Sequence, residues 1–405
     1  MVDKTACFLH ETINTFCAPK KAENGNQMAM HSGLDLSEAV EYHYDQFPPR
    51  GIDANRLIMP IASASAALAR YDQMLKGMHN SEILLAPLRN QEAVVSSRME
   101  GTVSTLDEVL RYEADQEESG DGAGGHYRNE AIEVFLYSRA LTAAQRSIEQ
   151  GAPLSSFLVK SAHRVLLGFG GGAHLSPGEF RTEQNYLADR MRRKVHFVPM
   201  RPEQLQGGMD RLFAFIESDD WQILIKTAVA HPEFEALHPF KDGNGRIGRM
   251  LITLMLWKYG AISAPHFYIS SYFEDRRDEY IDRMREVSKS GAWTDWIVFF
   301  LEALEAQAQK NLATAERIRD LYEDLKREFP QILTSQWSTA ALDFLFSRPV
   351  FRNNVFTKKS GIPETSAHRF TRILAERGLI RTLEPAAGRR PALYSFEPLL
   401  QIVRE

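Results

Sequence analysis

At 405 residues the chain is too long for one typical core, so two or three modules are expected. Its 44% hydrophobic and 25% charged content excludes a disordered chain, while a net charge of −5 points to no particular partner. The two cysteines, Cys7 and Cys17, lie in a polar N-terminal stretch, which excludes a disulfide framework and a cysteine-rich metal site. A reducing, cytoplasmic setting is therefore expected, with no signal peptide and no apolar run of bilayer length.

Residues 1–33 mix polar and small residues without periodicity and are expected to form a mobile arm. Phe47-Pro-Pro-Arg50 reads as extended, because each proline biases its predecessor away from the helical region. Leu57 to Met78 and Ile83 to Tyr112 read as helices, with breaks at 79–81 and at Pro87. Ser96 and Glu100, four apart in the second, share one helix face. Taken alone, a glutamate there is more often simply solvated. Gln116 to Gly125 has the composition of a flexible linker. Helical periodicity returns over Tyr127 to Ile148 and Leu154 to Leu167. The glycines of Phe169-Gly-Gly-Gly172 are not followed by Gly-Lys-Ser/Thr, so this is not a P-loop.

The densest chemistry lies in His238-Pro-Phe-Lys-Asp-Gly-Asn-Gly-Arg-Ile-Gly-Arg249, between a helix-like stretch Trp221 to Leu237 and a long apolar one, Arg246 to Tyr259, stopped by Gly260. Gly243-Asn244-Gly245 thus sits at a helix start, where unpaired N–H groups and the positive end of the dipole favour an anion. Asp242 is a hard oxygen ligand suited to Mg²⁺ carried in with a nucleotide. Arg246 and Arg249, three apart, can fork onto phosphate oxygens. His238 can take a proton from a hydroxyl near neutral pH. Any one of these is weak evidence; their order and spacing together point to phosphoryl-type transfer.

This segment resembles the signature of Fic-domain proteins, His-x-Phe-x-Asp/Glu-Gly-Asn-Gly-Arg-x-x-Arg, at every fixed position. The resemblance spans about residues 45–310 and implies transfer of AMP from ATP to a hydroxyl side chain of a target protein, with release of pyrophosphate. By that likeness His238 is the general base, Asp242 holds Mg²⁺, and Gly243, Asn244 and Gly245 form the anion hole beside Arg246. Ile247 and Gly248 continue the nucleotide-binding run, and Arg249 grips the γ-phosphate. Ser96-Ser-Arg-Met-Glu100-Gly101 matches the inhibitory helix of self-restrained relatives, so Glu100, supported by Ser96, is expected to occupy the Arg249 guanidinium. The likeness also implies a flap hairpin, with strands from Thr182 to Ala188 and from Lys194 to Val198, that docks the target as an added strand. Leu187, Ala188, Asp189 and Arg190 fall where relatives touch the nucleotide, and Tyr280 matches a tyrosine packed near the adenosine. The flap tip, Asp189 to Lys194, is basic where many relatives carry glycines; it suits an acidic target or a solvated hairpin end equally. A homodimer is expected from the family, and no membrane contact.

Further on, Arg276 to Val287 and Trp296 to Phe329 read as helices, the latter ending at Pro330. From Ala341 to Glu405 eleven Lys and Arg stand against six Asp and Glu, a net of +5. Helices over Ala340 to Ser347, Val355 to Ser360 and Glu364 to Arg377, then a hydrophobic strand and a hairpin ending at Ala392 to Phe396, resemble a winged helix. Thr365, Ser366, His368, Arg369 and Arg372 would read DNA in such a module, although +5 is a modest basic footprint and a protein-docking role is slightly favoured. The expected fold is mainly α: a Fic-type helical bundle with a short β-hairpin flap and a C-terminal winged helix. Its parts are the arm, a helical region over 34–125, a catalytic core over 126–310, a connecting helix over 311–340 and the last module over 341–405. Beside AMP transfer, the motif leaves open AMP removal, transfer from another nucleotide or a phosphocholine donor, and an ATP-sensing DNA-binding regulator.

Overall fold

The computed structural model describes residues 13–17, 34–78, 80–119, 127–189 and 194–405. Helices dominate. Strands β1 (Ile13–Cys17) and β2 (Val40–Glu41) precede α1 (Ala54–Gly77), which opens where the Asp53 carboxylate accepts the Asn55 N–H at 3.0 Å. The stretch expected as one helix from Ile83 to Tyr112 is divided into α2 (Ser81–Leu84), α3 (Ala86–Met99) and α4 (Leu106–Ser119). Two local signals cause the break. Gly101, at φ +89°, ends α3. Thr105 and Glu108 then start α4 with a capping box: the Thr105 N–H donates to the Glu108 carboxylate at 2.9 Å, and the Glu108 N–H returns to the Thr105 hydroxyl at 3.3 Å. Helix α4 also takes in Gln116 to Ser119, the first part of the expected linker. The remainder of that linker lies outside the described residues.

The central bundle follows: α5 (Asn129–Glu149), α6 (Ser156–Leu166), α7 (Pro202–Glu217), α8 (Ile223–Leu237), α9 (Asn244–Lys258), α10 (Ser270–Asp275), α11 (Arg277–Ser290) and α12 (Trp293–Leu333). Helix α12 runs on past Pro330, where it was expected to end. Pro232 sits inside α8 and has no N–H for the Ala228 carbonyl one turn back. The indole N–H of buried Trp296, from α12, donates to that carbonyl at 2.6 Å instead. A helix defect is thereby repaired by its neighbour, and α8 is fixed against α12.

Between α6 and α7, β3 (Asn185–Asp189) and β4 (Val195–Val198) form the expected hairpin, although Thr182 to Gln184 are not strand. They belong to a sheet of order β1-β3-β4-β2. Strand β1 pairs antiparallel with β3, Ile13 opposite Asp189 and Cys17 opposite Asn185. Residues 13–17, expected within the arm, are thus described as part of the flap sheet, their backbone groups paired with β3; the arm's residues 1–12 and 18–33 lie outside the described residues. Arg190 lies outside the described residues.

The last module comprises α13 (Ser338–Ser347), β5 (Val350–Arg352), α14 (Asn353–Lys359), α15 (Glu364–Glu376), β6 (Arg381–Glu384), β7 (Leu393–Ser395) and α16 (Glu397–Arg404), with sheet order β5-β7-β6. On α15, Thr365, His368, Arg369 and Arg372 are exposed and Ser366 half-buried; the Arg369 guanidinium donates to the Leu333 carbonyl at 3.0 Å. The module is locked onto α4. Fully buried Arg352 pairs with Asp115 at 2.7 Å and with Glu384 at 2.7 Å, while Arg348 reaches Glu117 at 2.9 Å and Arg404 reaches Asp107 at 2.7 Å. No helix among the described residues is long and apolar enough to cross a membrane.

Candidate active site

Helix α8 ends and α9 begins around the signature loop. His238 caps α8 in the left-handed region, at φ 49° and ψ 60°, and its N–H donates to the Phe234 carbonyl at 3.1 Å. Gly243, at φ 77°, is the N-cap of α9, a conformation that suits glycine. Asn244 and Gly245 therefore form the first turn of α9, and the anion-favouring helix start expected from the sequence is present.

The loop is held from several sides. The Asn244 side chain accepts the Phe240 N–H and donates to the Phe240 carbonyl, both at 2.8 Å, so its polar atoms brace the loop itself and are not turned to a ligand. The same carbonyl receives the Asn185 side chain at 2.9 Å. His163, on α6 and completely buried, stacks on Phe240 with ring centroids 3.8 Å apart. Its Nδ1 accepts the Gly178 N–H at 2.8 Å, which leaves Nε2–H to donate to the Asp242 carbonyl at 3.0 Å. Burial lowers this ring to about 4, keeping it neutral. Arg181 is also buried and spends its guanidinium on main chain: Nε on the His238 carbonyl at 2.8 Å, Nη1 on Glu183 at 3.0 Å, and Nη2 on Met200 and Leu237.

A cavity of about 140 Å³ opens beside the loop and is lined by Glu100, Leu187, His238, Gly245, Arg249 and Tyr280, with Glu235 among their neighbours. The His238 Nδ1 lies 3.3 Å from the Glu235 carbonyl, which assigns the proton to Nδ1 and the lone pair to Nε2. Burial, and then the Arg181 charge, lower His238 to about 4, so the ring is in its basic form at neutral pH. Arg249 is only 2% exposed and already engaged: Nε donates to the Ser96 hydroxyl at 2.9 Å, and Nη2 to the Ser96 carbonyl at 2.8 Å and Glu100 Oε1 at 2.7 Å. A Cβ on Gly245 would lie 2.1 Å from that Glu100 oxygen, so only glycine allows the carboxylate this close to the helix start. Glu235 Oε1 is buried without a hydrogen-bond partner among the described residues, and burial, with the Glu100 charge adding to it, pushes this carboxyl up to about 8.

Arg246 is 3% exposed, bonds Asp242 Oδ2 at 3.2 Å, and leaves its buried Nε and Nη1 without acceptors among the described residues. Buried guanidinium N–H groups are costly to leave unmatched, and an anion satisfies them. The other expected residues divide. Tyr280 is buried, with its hydroxyl 2.8 Å from His231 Nε2, and lines the cavity. Ile247 is packed in the core, Gly248 abuts Glu235, and Ala188 is buried in a small cluster with Tyr186 and Val195; these three do not line the cavity, because alternate strand residues and successive helix residues face different ways. Asp189, Asp242, Gly243 and Arg246 also lie outside its wall.

Two family profiles match the chain: Fic/DOC family N-terminal over residues 58–146, and Fic/DOC family over residues 153–256. Over these two stretches the chain belongs to the Fic/DOC family. Among curated relatives, a protein adenylyltransferase Fic of Nematostella vectensis is 34% identical over 29% of this chain and 25% of its own length. One of Drosophila melanogaster is 28% identical over 38% of this chain and 30% of its own. The chain thus spans only about a quarter to a third of these relatives' length. A Fic family protein of Desulfovibrio desulfuricans G20 has the same fold, with a TM-score of 0.53 at 19% identity over 86% of this chain and 98% of that one. A Fic domain containing signaling protein of Bacteroides thetaiotaomicron gives 0.50 at 18% identity, over 64% and 97%. The Fic signature, residues 238–249, falls inside the second matched region, and Ser96 and Glu100 inside the first. Sequence reading missed His163 and Arg181 as parts of the site; the only local hint was Arg181 closing the turn Ser176-Pro-Gly-Glu-Phe-Arg181.

Proposed function

We propose that this Fic chain transfers AMP from ATP to a hydroxyl side chain of a target protein, and that Glu100 restrains it. The observation that supports the reading best is the state of the two signature arginines. Arg246 keeps buried N–H groups without acceptors among the described residues, and Arg249 is held by Ser96 and Glu100 at the place where a terminal phosphate would bind. In the transfer, the target hydroxyl oxygen attacks the α-phosphorus as its proton passes to His238 Nε2. The bond from the α-phosphorus to the bridging oxygen breaks, and pyrophosphate leaves with the electron pair. The N–H groups at the start of α9 and the Arg246 fork oppose the charge that builds on the phosphate oxygens. The cavity beside Leu187 and Tyr280 suits the nucleoside.

Mg²⁺ fits this donor set. Asp242 offers one carboxylate whose side chain is 43% exposed at the loop, and no group of three His, Cys, Asp or Glu ligands occurs among the described residues. A hard ion that takes one carboxylate and completes its shell with phosphate oxygens and water matches such a site. When bound it would neutralise phosphate charge and orient the triphosphate.

Restraint follows from competition. With the Arg249 fork on a carboxylate, a γ-phosphate finds neither donor nor room, and ATP is left in an unproductive pose. Glu100→Gly is expected to raise self-modification by at least about tenfold, the equivalent of one charge-assisted hydrogen bond released to substrate. His238→Ala is expected to abolish modification in either background. Label retained on protein from α-labelled but not γ-labelled ATP identifies nucleotidyl transfer. Equal labelling by Glu100→Gly and the parent would remove the restraint from this account, and retention of the γ label would replace the reaction.

A further inference from the structure

A second hollow, of about 510 Å³, opens where α3, α4 and α5 meet the turn between α13 and β5. Its walls carry Arg89 and Asn90 from the first turns of α3, Glu113 and Glu117 from α4, and Arg139 and Arg146 from α5. The charges there are unequally matched. Glu113 accepts the Asn90 side-chain N–H at 2.9 Å, and Glu117 accepts from Arg348 at 2.9 Å and Lys359 at 3.4 Å, so both carboxylates have protein donors. Arg89 feels the Glu113 charge and lies near the Tyr268 hydroxyl, whereas no ion pair of Arg139 or Arg146 is found among the described residues. Arg89 places one N–H on the Thr142 hydroxyl at 3.2 Å, and its buried Nε has no acceptor there. Arg139 lies over the Phe135 ring at 5.9 Å, and both Arg139 and Arg146 are exposed toward solvent.

The spacing is regular. Arg139 and Arg146 are seven residues apart, two turns and roughly 10 Å along α5, with Thr142, and hence Arg89, between them. Two exposed planar forks along the α5 wall, with Arg89 facing them from α3, match the oxygens of successive phosphate groups better than a single small anion. A hollow at the junction of packed units, half apolar and bearing a few convergent polar groups, has the form of a small-molecule site.

We propose that this cleft binds a small polyanion carrying two or more phosphates, at a place separate from the catalytic cavity. Inorganic tripolyphosphate is the probe, titrated calorimetrically at low salt into the full chain, the Arg139→Ala/Arg146→Ala variant and the Arg249→Ala variant. The parent and Arg249→Ala bind it, whereas the double alanine variant binds at least about tenfold more weakly. Arg139→Lys/Arg146→Lys recovers part of the affinity, which a purely structural defect would not allow. Because both side chains are exposed, the unliganded double variant melts where the parent does. Undiminished affinity in the double alanine variant, or no binding to the parent at millimolar probe, overturns the proposal; should Arg249→Ala not fold, the double variant alone decides. Parallel titration with GTP separates the sources of this chemistry. Tighter binding than tripolyphosphate, lost in the same double variant, assigns a nucleotide, and equal or weaker binding assigns the bare polyphosphate.

Discussion

Individual side chains around the signature loop divide into those that line the cavity and those that hold the loop still. His163 is of the second kind. It joins α6 to the loop through the Gly178 N–H, the Asp242 carbonyl and the Phe240 ring, and acts by positioning. His163→Ala leaves a cavity and two unmatched backbone groups, so a loss of about 3 kcal/mol in stability is expected by chemical denaturation. In the Glu100→Gly background the folded variant should also transfer AMP about tenfold more slowly, since small misplacements of reacting groups are costly. His163→Asn, able to keep one hydrogen bond, should recover part of that rate; a full rate in folded His163→Ala would show that the loop is held by other contacts. His238 itself carries a pH prediction. Its folded-state value, near 4, lies below the usual histidine range, so the base is lost only as pH falls toward 4. Transfer by Glu100→Gly should therefore stay level from pH 8 down to about 5.5, whereas a fall centred near 6.5 in the pH profile would contradict the buried, neutral ring.

Among the elements, the break between α3 and α4 matters most. Glu100 falls at the end of a helix, its position set by Gly101 and by the Thr105 to Glu108 box, rather than midway along a longer helix. The box was legible as Thr-x-x-Glu; it was hidden by the apolar periodicity on either side, which continues in phase across the gap. Helix α4 is in turn fixed by the last module through Arg352 and Asp115. Arg352→Ala is expected to cost about 3 kcal/mol, the lower end for breaking a buried pair, because Asp115 keeps Arg390 at 3.0 Å. Urea unfolding followed by tryptophan fluorescence would measure it, and a change below about 1 kcal/mol would mean that water already screens the pair.

Across the whole molecule, what could be read in advance was what lies close together in the chain. The signature loop needs only residues 238–249, and the link from Glu100 to Arg249 was readable by likeness to known patterns. His163 and Arg181 reach the loop from 79 and 57 residues away, and nothing near either residue in the chain marks its partner. The same holds for Trp296, which repairs α8 from 68 residues off, and for the pairing of β1 with β3. Periodicity located the helices, but their ends were decided by caps, positive-φ glycines and tertiary donors. The sheet order β1-β3-β4-β2 leaves β3 an inside strand with both backbone edges taken. A visiting polypeptide that sought to lie alongside it would meet a rival from the same chain. Such a segment would find the berth occupied for as long as that first ribbon stays in place.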